Sequence, residues 1–254
     1  MSSEPSGETE PALDEQLTLI DHLVELRSRL VKALIAVFAV VLVLVPFARP
    51  LYTFFSQPLV RHLPEGSSMI AIDVASPFFA PFKLVLLLGL LLSMPFVLYQ
   101  LWAFVAPGLY RHEKRLARPL LFASLGLFYA GCAFAYFVVF PVIFAFFTAM
   151  APEGVAVMTD INRYLDFVLA LFLAFGLAFQ VPIATIVLVA LGITTPDALA
   201  RVRGYVIIGA FAIAMLVTPP DMFSQTLLAL PVLLLYELGI IMARVLVRRP
   251  SAAD

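Results

Sequence analysis

The sequence predicts an all-α integral membrane protein with six transmembrane helices and both termini in the cytoplasm. Three observations carry that prediction. The chain is 63% hydrophobic and 13% charged, whereas a soluble domain is about half apolar and about a quarter charged. Its apolar residues gather into six runs divided by short polar segments. Its Lys and Arg residues fall twelve on one side of the alternating segments and four on the other, the asymmetry that marks cytoplasmic loops.

Taken in order, residues 1–16 hold Glu4, Glu8, Glu10, Asp14 and Glu15 among Ser, Pro and Gly, and read as a disordered acidic tail. They lack the basic n-region of a secretory signal and the acid-poor character of a transit peptide. Residues 17–245 form the membrane domain, and 246–254 a short cytoplasmic tail. In Ile20 to Leu30, Leu23, Leu26 and Leu30 recur at helical spacing, while Asp21, His22, Glu25, Arg29 and Lys32 take other faces. That pattern is an amphipathic helix at the cytoplasmic interface, running into the first span.

The spans are placed at about 31–48, 77–105, 119–149, 164–191, 204–217 and 223–243. The uncharged run from Pro119 to Pro152 has 34 residues, too many for one untilted crossing, so part of it projects or tilts. The last two spans are short and meet at TPPD, Thr218 to Asp221, where both prolines have a fixed φ. The cytoplasmic bases are Arg27, Arg29 and Lys32; Arg111, Lys114, Arg115 and Arg118; Arg201 and Arg203; and Arg244, Arg248 and Arg249. Outside lie Arg49, Arg61, Lys83 and Arg163.

Chemistry-bearing motifs are scarce. There is no HExxH, GxSxG or P-loop. His22, His62 and His112 stand singly, and Cys132 lies in an apolar run, so neither a metal site nor an internal disulfide is expected. No catalytic residue and no cofactor is expected. Polar residues within or beside the spans are Ser93, Asp166, Gln180 and Glu237. Such groups face protein or water, because an isolated charge at the bilayer centre costs at least about 2.5 kcal/mol. Gln180 precedes Pro182, which should kink the helix and free carbonyls that the Gln180 amide can satisfy.

Two acids carry competing readings. Glu25 is spaced for an i,i+4 pair with Arg29, and Glu113, among Arg111, Lys114, Arg115 and Arg118, is placed to cap the third helix. Positive-inside topology accounts for the bases around Glu113 but not for the acid.

The stretches HLVELRSRL (His22 to Leu30), ASPFFAPFKL (Ala75 to Leu84), LSMPFVLYQLWAFVAPGLYRHEKR (Leu92 to Arg115), AFAYFVVFP (Ala133 to Pro141), FGLAFQVP (Phe175 to Pro182) and TPPDMFSQTLLALP (Thr218 to Pro231) together resemble the TatC family. This family supplies the core subunit and signal-peptide receptor of the twin-arginine protein translocase. The resemblance implies a glove-like helical bundle with a concave face in the bacterial cytoplasmic membrane. It implies that Glu25, Leu26, Arg27, Phe104 and Glu113 form the docking patch for signal peptides bearing two consecutive arginines. It also implies single-span partners of the TatA and TatB type, a homo-oligomeric complex, transport of folded proteins by the proton-motive force, and no nucleic-acid partner. Gln180 stands where the family carries an acid facing the cavity, so a proton relay through this side chain is not expected, whereas a polar contact to a partner helix is. Asp221 and Pro58 match a family acid and a family proline on the outer side. Outside that family, a proton-coupled solute carrier would need a midplane charge, and Gln180 is neutral; a membrane enzyme would need a nucleophile–base pair.

Overall fold

The computed structural model describes residues 10–62, 69–105, 114–150, 159–218 and 221–247. Helix α1, Glu10–Leu44, is one uninterrupted rod of 35 residues, about 52 Å long at 1.5 Å per residue. It opens inside the segment read as an acidic tail, and acids in a first turn suit the helix dipole. A 3₁₀ turn, Val45–Phe47 with Pro46 in it, leads to α2, Ala48–His62. The segment around Pro58 is therefore helical, where the sequence reads as a loop.

Helix α3 is Ser76–Val105. Helix α4, Lys114–Phe134, passes through a π turn at Ala135–Val139 into α5, Phe140–Ala149, giving a continuous helical run. That run is the long apolar stretch of the sequence. The π turn admits extra backbone per turn and shifts the faces that follow it. Helix α6, Ile161–Ala178, breaks at Phe179 and Gln180, and α7 follows as Val181–Ala190. The short α8, Pro196–Arg201, leads to α9, Arg203–Val217, and α10, Met222–Leu246. Among the described residues, five helical stretches are long and apolar enough to cross a membrane: 23–55, 76–105, 118–147, 161–190 and 222–246. The 15-residue α9 is apolar but shorter.

One departure from an all-helical fold occurs among the described residues. Met69–Ile70 and Thr159–Asp160 pair as two-residue parallel strands. Asp160 secures this junction, since one carboxylate oxygen accepts from the Arg163 N–H and caps α6, while the other accepts from the Ile72 N–H. At the far end of α7, Gly192 adopts φ 72°. The Ile193 N–H then reaches back to the Leu188 carbonyl and the Gly192 N–H to Val189, the Schellman closure that a residue with a Cβ would strain. Thr195 caps α8 by accepting from the Ala198 N–H at 3.0 Å.

Apolar side chains pack inside and also coat the outside. Ala135, Val139, Ile143, Leu171, Phe175, Ala214 and Leu228 join the π turn, α5, α6, α9 and α10. Trp102, Leu120, Ile183, Ile186, Val189 and Ala243 join α3, α4, α7 and α10. Leu34, Phe38, Val43 and Leu216 are exposed, as lipid-facing residues should be. Lipid is as apolar as leucine, so helices here are held by close contact and polar pairs rather than by exclusion of water. Gly239 of α10 lies against Pro182 and Thr185 of α7, and Gly89 of α3 against Val41 of α1.

Charged side chains gather at two opposite ends. At the α2 end Lys83 Nζ donates to Asp166 Oδ1 at 2.6 Å, and Asn162 Nδ2 to Ser76 Oγ at 2.5 Å. At the α8 end Arg203 pairs with Glu237 at 2.7 Å and Arg244 with Asp197 at 2.9 Å, while the Tyr236 hydroxyl donates to the Leu199 carbonyl. Lys83 and Asp166 are about a third and half exposed, which screens them; neutralising either alone should cost about 0.2–1 kcal/mol. We expect Lys83→Met and Asp166→Leu each to lower the melting temperature in detergent, and the double variant to recover part of the loss. Additive losses would show that the pair contributes nothing.

Candidate functional site

The first candidate acid lies on α1. Glu25 Oε1 accepts from Arg29 Nε at 2.8 Å and from Arg29 Nη2 at 2.6 Å. The i,i+4 spacing builds this fork, so the local pair read in the sequence is present. Glu25 is 37% exposed at its side chain, enough for a second donor to approach the carboxylate. Leu26 and Arg27 beside it are exposed. Phe104 is half-buried in the last turn of α3, two residues beyond buried Trp102. Glu113 lies outside the described residues, immediately before the first residue of α4.

Helix register brings Glu25 and Phe104 to the same level. Val41 touches Gly89, and beyond Val41 the chain's Leu51 and Tyr52 pack against Ala80 and Leu84, earlier in α3. The two helices therefore run antiparallel. Glu25 is 16 residues before Val41 and Phe104 is 15 after Gly89, or about 24 and about 22 Å along their axes. Both come to the end of the molecule opposite α2. Glu25 also lies about 28 Å along α1 from Leu44, close to the thickness of a hydrocarbon core.

Gln180 occupies the break between α6 and α7. Its amide Nε2 donates to the Ser124 carbonyl of α4 at 2.9 Å, which corrects the expectation that it satisfies carbonyls freed by Pro182 in its own helix. The chain turns here before Pro182 restarts it, with the Gln180 N–H bound to the Leu177 carbonyl, and the side chain ties two helices together. An interhelical hydrogen bond of this kind contributes about 0.6 kcal/mol, up to about 1.7. Gln180→Leu should lower the melting temperature by that contribution, while Gln180→Glu exchanges the donor for an acceptor and should fare no better in the isolated chain. Unchanged melting of the leucine variant would remove the bond from consideration.

Asp221 caps α10 by accepting from the Ser224 N–H at 2.7 Å, and its other carboxylate oxygen is buried without a partner among the described residues. Pro58 lies within α2, and its side chain falls outside the description. No trio of His, Cys, Asp or Glu is placed to hold a metal among the described residues, and Cys132 packs beneath the Phe172 carbonyl. Sequence reasoning missed the pairs of Lys83 with Asp166, Arg203 with Glu237 and Arg244 with Asp197. A usable signal was depth, since Lys83 and Asp166 lie seven and five residues past the starts of α3 and α6.

A family profile described as "Sec-independent protein translocase protein (TatC)" matches residues 21–231. The chain belongs to the TatC family. TatC of Azotobacter chroococcum is 55% identical over 246 residues, covering 96% of each chain. TatC of Escherichia coli K12 is 55% identical over 233 residues, 92% of this chain and 90% of that one. A crystal structure of the twin arginine translocase receptor TatC superposes with a TM-score of 0.80 at 37% identity, covering 88% of this chain and 98% of that one. TatC membership makes this a multi-pass membrane protein and a translocase component rather than an enzyme.

Proposed function

We propose that this chain is the receptor subunit of a twin-arginine translocase, binding signal peptides at the end that bears Glu25, Phe104 and Glu113. The observation that carries the reading is the Glu25 carboxylate, already engaged by a guanidinium fork at the hydrocarbon edge and still accessible. A guanidinium offers two parallel donors to a carboxylate, a match that lysine lacks. Glu25 and Glu113 take the two consecutive arginines, with Leu26, Arg27 and Phe104 flanking them. The bases around Glu113 discourage indiscriminate attraction of cationic peptides.

In this reading α9 is a sixth, short span, and both termini face the cytoplasm of a bacterial inner membrane; the asymmetry of twelve to four in Lys and Arg supports that orientation. Cysteines placed at Ser67 and Ala156 should then react with an impermeant external reagent, and one at Ser251 should not. External reaction at Ser251 would overturn the topology. Single-span partners of the TatA and TatB type pack near Gln180 on the membrane side, with Asp221 and Pro58 serving the outer side, and the proton-motive force drives passage of folded cargo.

The experiment that tests receptor function is photocrosslinking from a photoreactive residue at position 112 or 114 to a twin-arginine precursor. Crosslinks are expected, and they should disappear when both precursor arginines are changed to lysine. Crosslinks that persist with the lysine pair would refute arginine recognition at this patch.

A further inference from the structure

Both donors of Arg29 converge on one oxygen of Glu25, Oε1. The second oxygen, Oε2, receives no donor among the described residues. The resident guanidinium neutralises the carboxylate, so the pair exerts little pull on cations in general. A ligand arginine meets Oε2 first, and must then take Oε1 from Arg29 to complete two parallel bonds. A lysine brings one compact ammonium and no planar pair of donors, so it is a poor exchange for the guanidinium already there.

A displaced Arg29 has an acceptor close by. Gln100 of α3 is 8% exposed, and its amide has no hydrogen-bond partner among the described residues. A buried amide in that state costs stability until a partner arrives. Gln100 is 11 residues past Gly89, about three turns, so both lie on the face of α3 that meets Val41 of α1. Leu98 and Trp102, two residues to either side of Gln100, point the other way, toward α4 and α7. Arg29 stands one turn before buried Ala33, on the side of α1 packed along α3. It is 12 residues before Val41, so Arg29 and Gln100 lie about 18 and about 16.5 Å along antiparallel axes from the same contact. The two share one level of the seam between α1 and α3, a turn beneath Glu25 and Phe104.

We infer that Arg29 determines the arginine selectivity of this site: it occupies Glu25 as a resident competitor, and when a signal-peptide arginine takes the carboxylate it moves to the Gln100 amide carbonyl. The inference rests on the reading that Glu25 binds signal-peptide arginines. Exchange of one guanidinium for another conserves the ion pair, and the Gln100 carbonyl gains the donor it lacks, so a matched ligand loses little by displacing Arg29. An ammonium replaces a two-donor contact by a single point of charge, and Arg29 stays where it is.

The test measures binding of a precursor bearing Arg-Arg, and of the same precursor bearing Lys-Lys, to membranes carrying the full chain. Arg29→Met removes the charge and the donors and keeps an apolar stem. It should raise Lys-Lys binding about tenfold, the equivalent of one hydrogen bond to a charged group, and change Arg-Arg binding far less. Arg29→Lys keeps the charge and loses the fork, and should fall between Arg29→Met and the parent chain. Gln100→Met fills the same place without an acceptor, and should weaken Arg-Arg binding only while Arg29 is present. An unchanged preference for Arg-Arg in Arg29→Met, alongside weakened Arg-Arg binding in Glu25→Gln, overturns the inference and leaves the recognition reading standing. So does Gln100→Met if it binds Arg-Arg like the parent, or loses as much in the Arg29→Met background. Arg-Arg binding that is unaffected by Glu25→Gln overturns the recognition reading, and the inference with it.

Discussion

Gly239→Leu should prevent the chain from reaching its native packing, and Gly239→Ala should already weaken it measurably. A Cβ at this position would stand 2.9 Å from the Pro182 Cα and closer still to the Thr185 hydroxyl oxygen. The hydroxyl is not free to swing away without loss, since it donates to the Pro182 carbonyl at 2.7 Å. The Cα belongs to backbone and cannot swing at all. Overpacking of this kind costs about 1–3 kcal/mol for a single added group, and a leucine adds three more carbons to the same gap. The measurement is thermal unfolding in detergent alongside limited proteolysis. Thr185→Ala should restore part of the stability of Gly239→Ala and not all of it. If Gly239→Ala melts like the parent chain, α7 and α10 are not locked where the structure places them.

The second large effect concerns recognition. Glu113→Arg should reduce binding of a twin-arginine precursor to membranes by roughly ten- to hundredfold, between the cost of breaking an exposed ion pair and that of breaking a desolvated one. Glu113→Gln keeps the shape and loses the charge, and should be the milder variant. Glu25→Gln should behave like it, with the additional release of Arg29 from its fork. Insertion and the apolar packing should survive these changes, because Glu113 precedes α4 and Glu25 is part-exposed. Precursor binding and transport of a folded cargo are both read. Wild-type binding by Glu113→Arg would leave this carboxylate with no role beyond capping a helix.

The five long spans were legible because each is announced by an apolar run of about twenty residues or more, a signal that local accidents do not erase; α9 is apolar but shorter. The Glu25–Arg29 fork was legible for a related reason, since both partners lie on one helix at a fixed spacing. What escaped was tertiary. Nothing near Lys83 names Asp166, which is 83 residues away, and nothing near Arg203 names Glu237. Gln180 was correctly singled out as polar in an apolar setting, but its partner on α4 depends on how two helices pack. The helix from Ala48 to His62 was hidden by Pro50 and Pro58, which read as turn residues. The π turn at Ala135–Val139 leaves no mark in composition, because adding one residue to a helical turn changes register and not chemistry.

Helix α1 is, mechanically, an unjointed beam. No break interrupts it between Glu25 and Leu44. It lies along α3 over an extended contact, and where it passes Gly89 a Cβ would collide with Val41. A bulkier residue at position 89 would therefore set the beam at a different angle to α3, and over the about 24 Å from Val41 to Glu25 a small tilt grows into a large displacement at the Glu25 end.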